Sequence, residues 1–172
     1  MKRKYVKDYI PDDTADGSYR YVGEYYYSHK LKEERVKSGK KQLLFGLGTL
    51  LFLFALLFIP SIGATTLYVV LPIEIMMICF VPYCIGSYAL LSVEDMMERR
   101  FYEKAYENPI QILTVTLILE FFCILGQALG VLFYQGITLE DLFLQVGLIV
   151  HFIISFCCWN SQRKEMKTVV KH

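Results

Sequence analysis

The chain has 172 residues, 55% of them hydrophobic, and its mean hydropathy is +0.38. These values lie beyond those of a typical soluble domain, and the apolar residues are concentrated in long runs. The net charge is only +1, so the distribution of charge along the chain is more informative than its sum. An ordinary soluble domain is therefore excluded.

Four apolar segments have about the 17–25 residues that a membrane-spanning helix needs. They cover residues 43–59, 65–91, 110–134 and 142–159. Residues 1–41 form a Tyr-rich and basic extension, 42–160 form the helical bundle, and 161–172 form a basic tail that is expected to be frayed. We predict an all-α integral membrane protein whose four transmembrane helices form two antiparallel hairpins.

The basic residues predict the orientation of these helices. All 18 Lys and Arg lie before the first span, between the second and third, or after the fourth, and the connections 60–64 and 135–141 contain none. The positive-inside rule then places both termini and the middle loop in the cytoplasm. The basic N-terminus is followed by Pro and acids rather than an apolar run, so no cleavable signal peptide is expected. A bacterial cell membrane is the expected location.

Tyrosines dominate the first part of the extension, Tyr9–Tyr27. We predict that these tyrosines cover a small surface, fold onto the cytoplasmic end of the bundle or dock against a protein partner, because Tyr is enriched in protein contacts. The predicted contact residues are Tyr19, Tyr21, Tyr25, Tyr26 and Tyr27. Asp12, Thr14 and Asp16 resemble the start of a calcium loop, but its twelfth position is Gly23 instead of Glu. With seven acids and no recognisable module, the extension is not expected to bind nucleic acid.

The second part of the extension, Ser28–Lys41, is predicted to be a helix that runs into the membrane. Its lysines, among them Lys37, Lys40 and Lys41, would anchor the topology. They would also attract anionic lipid headgroups, at about 1 kcal/mol for each basic residue close to the surface.

The first two spans differ in character. The first contains no ionisable residue, whereas the second contains Pro72, Pro82 and, between them, Glu74. Each proline removes a backbone hydrogen bond and loosens the helix. The loop that follows, Ser92–Asn108, is predicted to be an amphipathic helix that begins with a capping box between Ser92 and Asp95.

The third span carries a polar stripe along an otherwise apolar helix. Thr116, Glu120, Cys123, Gln127 and Tyr134 share one side at 100° per residue. Such a stripe must face protein or water, because lipid offers no hydrogen-bond partners. Glycines are predicted to allow close helix packing. They are Gly126, Gly130 and Gly147.

The fourth span begins with acidic residues and places His151 and Ser155 on one face with Gly147. Glu74, Glu120 and His151 all approach the bilayer midplane when depth is reckoned at 1.5 Å per residue. Burial without partners would be costly, so these groups are expected to pair. The predicted intramembrane polar cluster is Glu74, Glu120, His151, Gln127, Thr116 and Ser155.

No enzyme motif is present: the sequence lacks G-x-S-x-G, H-E-x-x-H and a P-loop, and its five cysteines form no CxxC. No catalytic residue, metal or other cofactor is therefore expected. The first functional hypothesis is an accessory, scaffold or assembly subunit of a membrane complex, with a protein partner or self-association. The second is a small oligomeric transporter or channel that uses the Glu/His cluster for proton- or cation-linked transport.

Overall fold

The computed structural model describes residues 3–11, 19–61, 66–92, 94–133 and 137–171. It is mostly helical (76%) and contains four helical segments that are long and apolar enough to cross a membrane. The helices are α1 (Lys32–Leu56), α2 (Leu67–Ala89), α3 (Arg99–Tyr102), α4 (Asn108–Phe133) and α5 (Leu139–Met166). A π-helical turn, Glu103–Glu107, joins α3 to α4 in one segment, Arg99–Phe133.

A capping box marks the start of α5, and α2 continues past two prolines, which usually break helices. Thr138 and Asp141 form a capping box at the start of α5, in which each side chain accepts a hydrogen bond from the other's backbone N–H, both at 3.2 Å. The acidic helix start predicted there is therefore confirmed. Pro72 and Pro82 both lie inside α2, which nevertheless continues from Leu67 to Ala89.

Apolar side chains lie on both the inside and the outside of the helical bundle. The core consists of buried residues from all four long helices, including Leu53, Ile73, Met76, Phe80, Leu113, Leu144 and Leu148. The outer surface is also apolar, with Leu51 73%, Ile78 71% and Phe143 67% exposed. This surface suits a lipid environment, where exposed apolar side chains carry no penalty.

Glycines lie where the long helices approach closely. A Cβ on Gly126 of α4 would stand 2.8 Å from a ring carbon of Tyr68 of α2, too close for any larger residue without movement. A Cβ on Gly147 of α5 would be 3.4 Å from Phe52 of α1, which is ordinary to tight contact. Gly130 is buried in α4.

The prediction of an all-α fold is incomplete, because one end of the bundle carries two small antiparallel sheets. In the first sheet β1 (Tyr9–Pro11) pairs with β2 (Tyr19–Tyr21). In the second, β3 (Tyr25–Ser28) lies between β4 (Met96–Glu98) and β5 (Val169–Lys171). A short 3-10 helix, Arg3–Asp8, precedes β1. Aromatic residues favour strands, but these strands form only because partners from distant parts of the chain meet.

Three local predictions are corrected by the second sheet. The helix predicted from Ser28 begins at Lys32, because Ser28 ends β3. The amphipathic helix predicted over Ser92–Asn108 is replaced at Met96–Glu98 by β4, and the helix starts at Arg99. Asp95 does not cap a helix there: its carboxylate accepts a hydrogen bond from Arg35 at 2.6 Å. Val93 lies outside the described residues.

The prediction of a frayed C-terminal tail is wrong for residues 161–171, which are helical or strand over most of their length. Helix α5 continues to Met166, and β5 then pairs with β3, so that Val170 lies opposite Tyr27. The β3–β5 sheet therefore joins the N-terminal extension, the middle loop and the tail at one end of the bundle, which we call the sheet end.

Candidate functional site

The centre of the bundle contains a contact between Glu120 of α4 and His151 of α5. Glu120 is fully buried and His151 is 6% exposed. Nδ1 of His151 pairs with Oε1 of Glu120, and Ser155 Oγ donates to the same oxygen at 3.2 Å. On the other side of the ring, Nε2 lies 3.1 Å from the Thr49 hydroxyl of α1. Three of the long helices therefore meet at this pair.

Two aromatic rings enclose the imidazole of His151. The ring of Phe52 is stacked at 5.0 Å and 6°, and that of Phe45 at 6.3 Å and 16°. When Glu120 is ionised, Nδ1 must carry a proton, because a carboxylate only accepts hydrogen bonds. Nε2 can then accept from Thr49 as neutral imidazole or donate to it as imidazolium. The same hydrogen-bond partners therefore fit either form of the imidazole.

Two polar atoms beside this pair have no hydrogen-bond partner in the described part of the chain. They are Oε2 of Glu120 and Oγ1 of Thr116, both buried. An unsatisfied buried group costs roughly 1–3 kcal/mol, so this part of the site has polar capacity that the protein itself leaves unused.

The polar stripe of α4 continues away from the sheet end. Gln127 is buried and its Nε2 donates to Oδ1 of Asp141 at 3.3 Å. Cys123, between Gln127 and Glu120, turns its thiol toward the backbone of Val69 in α2. Tyr134, the last member of the predicted stripe, lies outside the described residues. Sequence reasoning read Asp141 only as a helix start and missed its burial against Gln127.

A second set of buried polar groups lies between the Glu120–His151 pair and the sheet end. Gln162 Nε2 donates to the Tyr83 hydroxyl, which also lies 3.6 Å from Cys158 Sγ. Glu165, only 5% exposed, accepts from Ser38 and from Gln42 and lies 3.3 Å from Lys30 Nζ. Sequence reasoning missed Gln162 and Glu165 because it assigned them to a frayed tail.

Buried polar contacts therefore extend through most of the bundle's length, and we call this series the polar axis. Its members are Asp141, Gln127, Thr116, Glu120, His151, Thr49, Ser155, Tyr83, Gln162, Gln42 and Glu165. Intervals of seven residues, about 10 Å along the helix, separate Gln127 from Glu120 on α4 and Ser155 from Gln162 on α5. Among the residues that the structure describes, no group of three His, Cys, Asp or Glu is arranged to hold a metal ion.

Glu74 does not join the other two ionisable residues. It is exposed on the outer side of α2, with no hydrogen bond or ion pair to a described residue. Neighbours one turn away on the same side, Leu71 and Ile78, are 47% and 71% exposed. Glu120 and His151 were predicted at the same depth, and they are in contact. Glu74 was predicted at a similar depth, but it lies on the side of α2 that faces outward.

Most predicted contact tyrosines are used within the sheet end. Tyr21 is buried, and Tyr26 stacks on Tyr102 at 4.0 Å, whereas Tyr19 and Tyr27 are 66% and 37% exposed. Tyr25 is half-buried and packs edge-on against Tyr21 at 5.0 Å.

Tyrosine hydroxyl groups at the sheet end also donate hydrogen bonds to carboxylates. Tyr5 donates to Glu103 at 2.5 Å, and burial together with this contact raises the pKa of Tyr5 to about 12. The hydrogen bond from Tyr9 to Glu98, with burial second, raises the pKa of Tyr9 to about 12. A hydrogen bond from Lys171 lowers the pKa of Glu24 and ties β5 to the sheet.

The predicted lipid-facing lysines Lys37, Lys40 and Lys41 are all exposed on α1, near the sheet end.

No protein-family model matches the sequence, and no characterised protein or solved structure is significantly similar to it.

Proposed function

We propose that this protein is an accessory or assembly subunit of a membrane complex. Its four long helices would form two antiparallel hairpins, with the sheet end in the cytoplasm of a bacterial cell. Support comes from the restriction of all Lys and Arg to segments near that end and from the absence of any catalytic constellation in the sequence.

The exposed carboxyl of Glu74 carries the proposal. Glu74 follows the start of α2 by seven residues, which places it about 10 Å along the helix and within the hydrocarbon. A carboxyl that faces lipid there costs up to about 3 kcal/mol. A transmembrane segment of another subunit that hydrogen-bonds to Glu74 would remove much of this cost. The apolar surface around it, including Leu71 and Ile78, would supply the packing.

The sheet end offers a second contact surface for the same partner. Its strands come from three distant parts of the chain, and Lys171 and Glu24 tie the tail to β3. Tyr19 and Tyr27 remain exposed on it, and β4 and β5 have unpaired outer edges within the described sheet. A small sheet fixed to the bundle in this way would present a defined surface to a partner.

The proposal is tested by purification from native membranes in mild detergent. We expect the Glu74→Leu variant to fold normally and to lose partners that the wild-type protein retains, because its surface no longer offers a hydrogen bond. Val115→Leu is the matched control, since Val115 is 45% exposed on the outer side of α4. The co-purified proteins are compared by quantitative mass spectrometry. A Glu74→Leu protein that retained every partner of the wild type would contradict the proposal.

Proton- or cation-linked transport is the second candidate, and the polar axis favours it. The partners of the central pair fit either form of the His151 ring, and polar atoms without a partner among the described residues lie there at Thr116 and Glu120. In liposomes, a transporter would show an ion flux that Glu120→Gln abolishes, because Gln cannot ionise. Absence of flux from correctly inserted wild-type protein would remove this candidate.

A further inference from the structure

A groove between α1 and α5 opens on the outer surface of the bundle. It has a volume of about 290 Å³ and reaches inward to Thr49 and His151. It is lined by Phe45, Gly48, Thr49 and Phe52 of α1 and by Val150, His151 and Ile154 of α5. A Cβ on Gly48 would meet no heavy atom within 4 Å, so the space in front of this glycine is open. The walls of the groove are almost wholly apolar. In a bilayer, a surface of this kind faces lipid acyl chains rather than water.

Both walls of the groove lead to lysines at the sheet end. On α1, Lys37, Lys41, Phe45, Gly48 and Phe52 follow one another at spacings of four, four, three and four residues. These spacings place them along one side of the helix. Lys41 is therefore about 6 Å along the axis from the start of the groove.

The α5 wall has the same order. Val150, Ile154, Cys157, Ser161 and Lys164 recur at spacings of four, three, four and three residues, and Lys164 is exposed. The hydrogen bond between Ser38 and Glu165 shows that Lys37 and Lys164 lie at the same level of the bundle.

The balance of charge at this level is positive. Glu33 and Glu34 each lie about one turn from Lys37 on α1, and the Glu165 carboxylate is already engaged by Ser38, Gln42 and Lys30. Lys37, Lys41 and Lys164 therefore exceed the two free acids by one charge.

We propose that this groove is a binding site for one anionic phospholipid. One acyl chain lies along the groove between Phe45 and Phe52, and the phosphate-bearing headgroup contacts Lys37, Lys41 and Lys164. The order of the groups matches a phospholipid in the leaflet nearest the sheet end: charge at the membrane surface and apolar surface toward the midplane. The site requires only that α1 and α5 lie in a bilayer, and does not depend on a protein partner or on transport.

Native mass spectrometry of the purified full chain tests the site. The probes are palmitoyl-oleoyl phosphatidylglycerol and the phosphatidylcholine with the same chains. We expect one phosphatidylglycerol to bind more tightly than phosphatidylcholine. The double variant Lys37→Gln, Lys41→Gln should weaken the binding of phosphatidylglycerol by about 25-fold, since each lysine contributes about fivefold. Lys7→Gln, Lys104→Gln is the matched control, because both lysines are exposed but lie outside α1 and α5, and they should have little effect.

The chain-binding part is tested by Gly48→Leu, which fills the groove without a clash. We expect it to abolish single-lipid binding, whereas Leu47→Phe, on a 49% exposed position about 100° around α1 from Gly48, should not. Several results would overturn the proposal: equal binding of both lipids, equal losses in the two lysine pairs, or unchanged binding by Gly48→Leu. A wild-type dimer that Gly48→Leu dissociates would also overturn it, because the groove would then hold a second copy.

Discussion

Replacement of Glu120 tests whether the central pair holds the bundle together. In Glu120→Leu, His151 Nδ1 and Ser155 Oγ lose their common acceptor, and the unpartnered Oε2 atom is removed at the same time. Interhelical hydrogen bonds in membranes average about 0.6 kcal/mol and reach about 1.7 kcal/mol. Glu120→Leu loses two such bonds, and removal of the buried unsatisfied oxygen offsets part of that loss. We therefore expect the free energy of unfolding to fall by about 1–2 kcal/mol.

Glu120→Gln should cost less, about 0.5 kcal/mol, because the amide oxygen can still accept from His151 and Ser155. Thr116→Val is the matched control: it lies one turn away on the same buried face, and its hydroxyl has no partner among the described residues. Removal of this hydroxyl should leave stability unchanged or raise it.

The assay is the free energy of unfolding in mixed detergent micelles, measured on the three variants and the wild type together. The expected order of stability is Thr116→Val at least equal to wild type, then Glu120→Gln, then Glu120→Leu. A Glu120→Leu protein as stable as the wild type would refute the reasoning, since it would mean that the pair contributes nothing to helix association.

The remaining predictions concern topology and the sheet end. In a cysteine-free background, a single cysteine at Ile137 should react with an impermeant reagent added outside the cell and one at Lys167 should not; both positions are exposed, and the reverse pattern would contradict the proposed orientation. The phenol of Tyr5 should titrate near pH 12 in an ultraviolet absorbance titration, and because Tyr9 also titrates there, the step should be smaller by one tyrosine in Tyr5→Phe rather than absent. Because the folded-state pKa is raised above 10.0, the stabilisation from Tyr5 is complete below pH 10 and is lost as pH rises toward 12. An unfolding free-energy difference between the two proteins that stays constant from pH 9 to 12 would contradict this coupling.

The four long helices and the central pair could be predicted because both depend on local pattern. The number of apolar residues sets the helix count, and 100° periodicity places Thr116, Glu120 and Gln127 on one face. Depth along each helix then brings Glu120 and His151 to the same level. Each of these arguments needs only the position of a residue within its own helix.

The two sheets could not be predicted in the same way. Each strand has only three or four residues, too few for a clear period-2 pattern, and the partners of Tyr26 are Met97 and Lys171, far away in sequence. The same holds for Glu165, which is buried because its helix docks against Ser38 and Gln42 of α1. Tertiary contacts, rather than local propensity, decide these elements.

Glu74 and Glu120 show what depth alone leaves open. Both carboxyls lie within apolar helices, but Glu120 is buried against His151, whereas Glu74 is exposed with no hydrogen bond to a described residue. Helix rotation is set by packing, here by contacts such as Gly126 with Tyr68, and these cannot be read from α2 by itself. Glu120 therefore has hydrogen-bond partners within the chain, whereas Glu74 has none among the described residues. Because a carboxyl facing lipid is costly, the outer surface of α2 is where a neighbouring subunit would stabilise this protein most.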